Sequence, residues 1–162
     1  MLIGIFLLPL CWAVSRAVFL LLTMTLARVS SDWALAAGFL VAVLGFFLLP
    51  QAFRTYVLGH EMTHAIAGLL MGAKIGKMKV GRDGGHVELS KNNFMISLAP
   101  YFFPFYTGLV IGLWVVAGFF CDVSSFEMWW LGLVGLTWGF HVTFTIYMLS
   151  QHQPDVQVNG RV

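Results

Sequence analysis

The sequence predicts an all-α membrane protein, a polytopic helical bundle with a small cytoplasmic β-hairpin. Hydrophobic residues make up 59% of the chain and charged residues only 10%, where an ordinary soluble domain carries about 25% charged. Nine Lys or Arg and seven Asp or Glu among 162 residues are too few to coat a soluble core of that size. The stretches Trp33 to Phe53 and Phe94 to Cys121 carry no formal charge, and a bilayer-spanning helix needs about 20 such residues.

The elements follow in chain order. Residues 2–27 are apolar, with Arg16 as their one formal charge. The start lacks the positive charges of a secretory signal, which predicts a retained first span. Ser30, Ser31 and Asp32 offer side-chain oxygens for a helix N-cap and open a second span over 33–50. Pro50 closes it. A third span over 53–72 holds the strongest motif in the chain. Between residues 74 and 91, Lys74, Lys77, Lys79, Arg82 and Lys91 face only Asp83 and Glu88. This segment leaves the lipid, and its excess of cations predicts that it lies in the cytoplasm. Within it, Lys77-Met78-Lys79-Val80 and His86-Val87-Glu88-Leu89 alternate polar with apolar around Asp83-Gly84-Gly85, the pattern of a β-hairpin. Two further spans, 94–120 and 128–151, are joined by the acidic connection Asp122 to Glu127, which suits the opposite side. With no internal repeat and no linker, a single membrane domain over 1–162 is expected.

Charge and cysteine content exclude some functions. A net charge of +2 without a dense cationic stripe gives no footprint for nucleic acid. Cys11 and Cys121 sit in or beside apolar runs and read as small hydrophobes.

The motif that carries chemistry is His60-Glu61-Met62-Thr63-His64. On a helix, residues four apart stand one above the other, so both imidazoles reach one metal ion while Glu61 lies beside it. Zinc takes such nitrogen donors, needs a third protein ligand and keeps an open position for water. Water bound there loses a proton near neutral pH, and the adjacent carboxylate can accept it and pass it to a leaving amine. The competing reading is a polar face used for helix packing. Burying an ionisable side chain at mid-membrane costs about 2.5–3.5 kcal/mol, so two His and a Glu within five residues call for a compensating partner.

The stretch from Gly59-His60-Glu61-Met62-Thr63-His64-Ala65, through Gly84-Gly85-His86-Val87 and Leu98-Ala99-Pro100-Tyr101-Phe102-Phe103-Pro104, to Gln153-Pro154-Asp155 resembles the site-2 protease family of intramembrane zinc metalloproteases, in a little-characterised bacterial branch. The resemblance covers about residues 54 to 160. It implies zinc held by His60, His64 and Asp155, with Glu61 as the catalytic carboxylate. It also implies a bacterial inner (plasma) membrane, lipid as the surrounding partner, and a membrane-embedded or juxtamembrane peptide as substrate. In that family the Asp lies just before a further span, whereas this sequence stops at Val162. A longer natural chain, or a site completed differently, is therefore expected.

The third ligand stays open between Asp155 and His141. At 1.5 Å per residue, His60 and His64 lie about 15–21 Å before the inner end of their helix, while a straight last helix would carry Asp155 about 42 Å beyond Glu127, past a core about 30 Å thick. Gln151 to Pro154 favour helix termination, which would turn the chain back. At 100° per residue, Thr137, His141, Thr145, Met148, His152 and Asp155 fall within about 40° of one direction. That polar face either lines the site, with His141 as an oxyanion donor, a partner of a ligand or a substitute ligand, or serves interhelical hydrogen bonding.

Three more features have two readings each. Gly68-x-x-x-Gly72 permits close approach of a helix, for function or for ordinary packing. Pro100 and Pro104 either open a substrate slot beside Tyr101 and Tyr106 or make a plain kink. The hairpin offers an edge to an unwound substrate, or only sets topology; His86 reads as a hairpin surface residue. The function expected is zinc-dependent endoproteolysis in or beside the bilayer. The alternatives are a non-catalytic metal-binding scaffold subunit and a metal or proton carrier.

Overall fold

The computed structural model describes residue 16, residues 32–81 and residues 84–150. Five helices and one hairpin follow in order: α1 (Asp32–Leu48), α2 (Phe53–Leu70), β1 (Ile75–Val80), β2 (Gly85–Leu89), α3 (Phe94–Phe102), α4 (Phe105–Gly118) and α5 (Glu127–Ser150), with one 3-10 turn, Ser124–Phe126, before α5. The expected first span, 2–27, lies outside the described residues apart from Arg16, which is helical.

The core mixes apolar side chains, Tyr56, Val57, Ile96 and Phe144 among them, with polar ones. The buried set includes Glu61, Thr63, His64, Ser97, Thr107 and Thr145, while Phe47, Leu48, Leu113, Phe119, Phe120 and Trp129 are all more than two-thirds exposed. The segment Ser124–Ser150 is long and apolar enough to cross a membrane. α1 is apolar but shorter, and α3 with α4 qualifies only if the bent pair is taken as one span.

α1 and α5 form the most extensive helix pair, and glycine is the reason. A Cβ on Gly38 would collide with the carbonyl oxygen of Gly132, and one on Gly135 with the carbonyl oxygen of Leu35. At Gly139 it would come within 2.7 Å of the Phe39 carbonyl oxygen. Small residues at four-residue spacing let two backbones touch, which is how helices gain van der Waals contact where water supplies no hydrophobic drive. Phe46, Phe53, Tyr56, Phe140 and Phe144 then fill the wedge between α1, α2 and α5, with Tyr56 stacked on Phe144 at 5.3 Å.

α2 ends in a Schellman turn. Gly72 has φ +73°, its N–H bonds the Leu69 carbonyl, and the Ala73 N–H bonds the Gly68 carbonyl at 2.8 Å. Gly72 is thus a helix stop and not part of a helix-packing face, and Gly68 faces the Leu89 side chain.

The hairpin forms as its sequence predicts. β1 and β2 pair antiparallel, with Val80 opposite Gly85 and Lys79 opposite His86, and an irregularity between Ile75 and Met78. Its position differs from a detached loop. The ribbon lies along α2, with Leu89 against Gly68 and Gly85 against Glu61 and Val57, and Val87 is buried.

The expected single span 94–120 is two helices at 73°. Asn93 caps α3, its side chain accepting the Ile96 N–H at 2.9 Å. Phe103 is extended (φ −99°, ψ 110°), as a residue before proline prefers, so Pro104 ends one helix and starts the next.

Candidate metal and proteolytic site

The His60-to-His64 segment is the middle of α2, and the helix does to it what the spacing requires. The two imidazoles sit one turn apart with ring centroids 4.9 Å apart, nearly perpendicular. His64 and Glu61 are both buried. His60 is flanked by Tyr56 at 5.9 Å and by Tyr101 of α3 at 5.3 Å. Thr63 bonds back to the Gly59 carbonyl at 2.8 Å and so satisfies its hydroxyl within the helix.

His64 is oriented from α3. Its Nδ1 lies 2.9 Å from the Ile96 carbonyl oxygen. A carbonyl only accepts, so Nδ1 carries the proton and the lone pair stands on Nε2. Metal-ligating histidines are held in this way, with the far nitrogen bonded to a carbonyl or carboxylate.

Glu61 is covered from the hairpin side. A Cβ on Gly85 would lie 2.6 Å from Glu61 Cγ and 2.8 Å from its Oε1, so the start of β2 meets the carboxylate through bare backbone. Among the residues singled out from sequence, neither Gly85 nor Ile96 was assigned a role at the site. The signals were present as the Gly84-Gly85 pair and as Pro100.

A small cavity adjoins His60. Tyr56, Gly59, Thr63, Pro100, Tyr106 and His141 are among its walls, and its volume of about 10 Å³ is room for one water. Pro100, Phe103 and Tyr106 bring the α3–α4 elbow to its lining, and Phe140 and His141 bring α5. Tyr106 is fixed by donating to the Thr55 carbonyl at 2.6 Å, and its ring occupies the space a Cβ on Gly59 would need. Tyr56 and Thr145 share a 3.3 Å hydrogen bond between α2 and α5. His141 lines the same cavity as His60.

The structure therefore places His60, Glu61 and His64 together on α2 and brings His141 of α5 to the cavity that His60 lines. Asp155 lies outside the described residues. Among the described residues, no three His, Cys, Asp or Glu side chains gather closely enough to hold a metal ion. The donor set of α2 fits zinc in kind: two imidazoles on one helix face, one with its tautomer set for Nε2 ligation, and a carboxylate beside them. No family model matches the chain, and no curated protein or solved structure matches it either.

Proposed function

We propose that this chain is a zinc-dependent protease that cuts peptide bonds in or beside a lipid bilayer. The observation that carries the reading is the setting of the α2 motif: His64 is pinned through Nδ1 to the Ile96 carbonyl, His60 is one turn away, and Glu61 is buried between them and the hairpin. With the proton on Nδ1, the His64 lone pair stands on Nε2, the nitrogen a zinc ion would take, and Glu61 lies buried one residue from His60.

His60 and His64 would hold the ion, with Asp155 or His141 as third ligand. Zinc bound there would acidify water and polarise the scissile carbonyl. Glu61 takes the proton of the attacking water and returns it to the leaving amine. His141, which lines the cavity beside His60, would donate to the developing oxyanion when it is not itself a ligand. Substrate must reach the site locally unwound, because a helical peptide bond is shielded by its own turns.

The membrane setting belongs to the same proposal. The buried polar set and the exposed Phe, Leu and Trp side chains suit a lipid surround, and the most apolar window of the last helix is only 22% buried, unlike the core helix of a soluble protein. A polytopic bundle in a bacterial inner membrane, with the hairpin on the cytoplasmic side, fits its cationic excess. The site-2 protease resemblance points the same way.

Glu61→Gln tests the reading. The variant is expected to retain zinc and lose cleavage of a membrane-embedded reporter peptide. Cleavage that survives the change overturns the catalytic role. Zinc or proton flux through the wild type in sealed vesicles would instead identify a carrier.

A further inference from the structure

Pro100 lies inside α3, where an ordinary residue would donate its N–H to the carbonyl four positions back, at Ile96. Proline has no N–H, and its ring crowds that same carbonyl. The Ile96 oxygen is thereby left without its helical donor, inside the protein: Ile96 is 1% exposed. A buried carbonyl without a donor is destabilising. It is satisfied instead by Nδ1 of His64 at 2.9 Å.

We infer that Pro100 is a positioning residue for the metal site, and that its missing amide is what reserves the Ile96 carbonyl for His64. The chain of cause runs from one imino acid to a tautomer. Removing a donor from α3 creates an acceptor facing α2, and the acceptor fixes the proton on Nδ1, which leaves the lone pair on Nε2. The helix bears the cost of one lost hydrogen bond, and the buried His64 gains its partner.

The ligation half of this inference rests on the proposed zinc function; the tautomer half does not. The test uses the full chain in nanodiscs, with ¹⁵N-labelled histidine read by NMR in metal-free protein and zinc affinity read by chelator competition. Wild-type His64 is expected to be protonated on Nδ1. Pro100→Ala, which restores a competing amide, should give a mixture of tautomers and about a tenfold weaker zinc affinity, the usual effect of losing such a partner. Lactic acid in place of Pro100, an ester without an N–H or a ring, should keep both wild-type properties. The inference is overturned if wild-type His64 carries its proton on Nε2, if Pro100→Ala changes neither readout, or if the ester behaves like alanine. Wild type with the Nδ1 proton but no zinc binding would support the brace and overturn the protease.

Discussion

Gly85 and Glu61 touch through backbone and side chain, with a would-be Cβ at position 85 only 2.6 Å from Glu61 Cγ and the same distance from Val57 Cγ1. A strand from the most charged segment of the chain thus rests on the carboxylate of its only His-Glu-x-x-His helix. Gly85 is absent from the positive-φ residues, so its need for glycine is one of space. Gly85→Ala is expected to cost about 1–3 kcal/mol by overpacking and to push Glu61 out of register. Cleavage should fall by at least tenfold while zinc content stays near wild type; unchanged cleavage would show that the contact is slack.

The ligand set is resolved by single substitutions to alanine at His60, His64, His141 and Asp155, with zinc measured per chain. His60 and His64 are expected to lose the metal. Of the other two, the true third ligand should lower zinc affinity by several orders of magnitude, and the other by about 10–100-fold or less. Retention of full zinc content in both would remove them together from the coordination sphere.

The α1–α5 seam gives a paired prediction. Gly135→Leu places a side chain where the Leu35 carbonyl stands, whereas a Cβ on Gly132 meets only the Ala34 oxygen at 3.7 Å, an ordinary contact. Thermal unfolding in detergent should therefore drop sharply for Gly135→Leu, by about 3 kcal/mol, and hardly move for Gly132→Ala. Equal effects would mean the seam is not set by glycine.

Asp122, in the connection before α5, is held below its usual carboxylate pKa of 3.8, first by the Ser124 backbone N–H and then by its hydroxyl. A depressed folded value means that this contact stabilises above the unfolded pKa and is lost as the pH falls through the folded one. Ser124→Ala should leave most of the depression, because the amide remains; an NMR titration of Asp122 that returns to 3.8 in that variant would contradict the ordering.

Much of the fold was legible because it depends on neighbours in sequence. The Gly84-Gly85 pair and flanking alternation gave the hairpin, and the His spacing gave one helix face. The two prolines announced an interruption whose 73° only packing sets. What escaped depends on which element lies beside which. Gly68 and Gly72 looked like a helix-packing pair, yet one faces a strand and the other caps a helix. The true seam, Ala34, Gly38 and Ala42 against Gly135 and Gly139, shows the same period of four but is diluted among other small residues. The Ile96 carbonyl has no side-chain signature at all; it is marked only by a proline four residues on. Asp155 stays beyond the described residues, and with it the geometry of a third ligand.

Because α1 and α5 meet carbonyl to glycine, no side chain separates their backbones at Gly38, Gly135 and Gly139. His141 stands on α5 two residues after Gly139, so the seam places it. On the protease reading proposed above, a polypeptide entering beside His60 passes the wall that α3 and α4 supply, where Phe103 is extended and Pro104 starts a new helix.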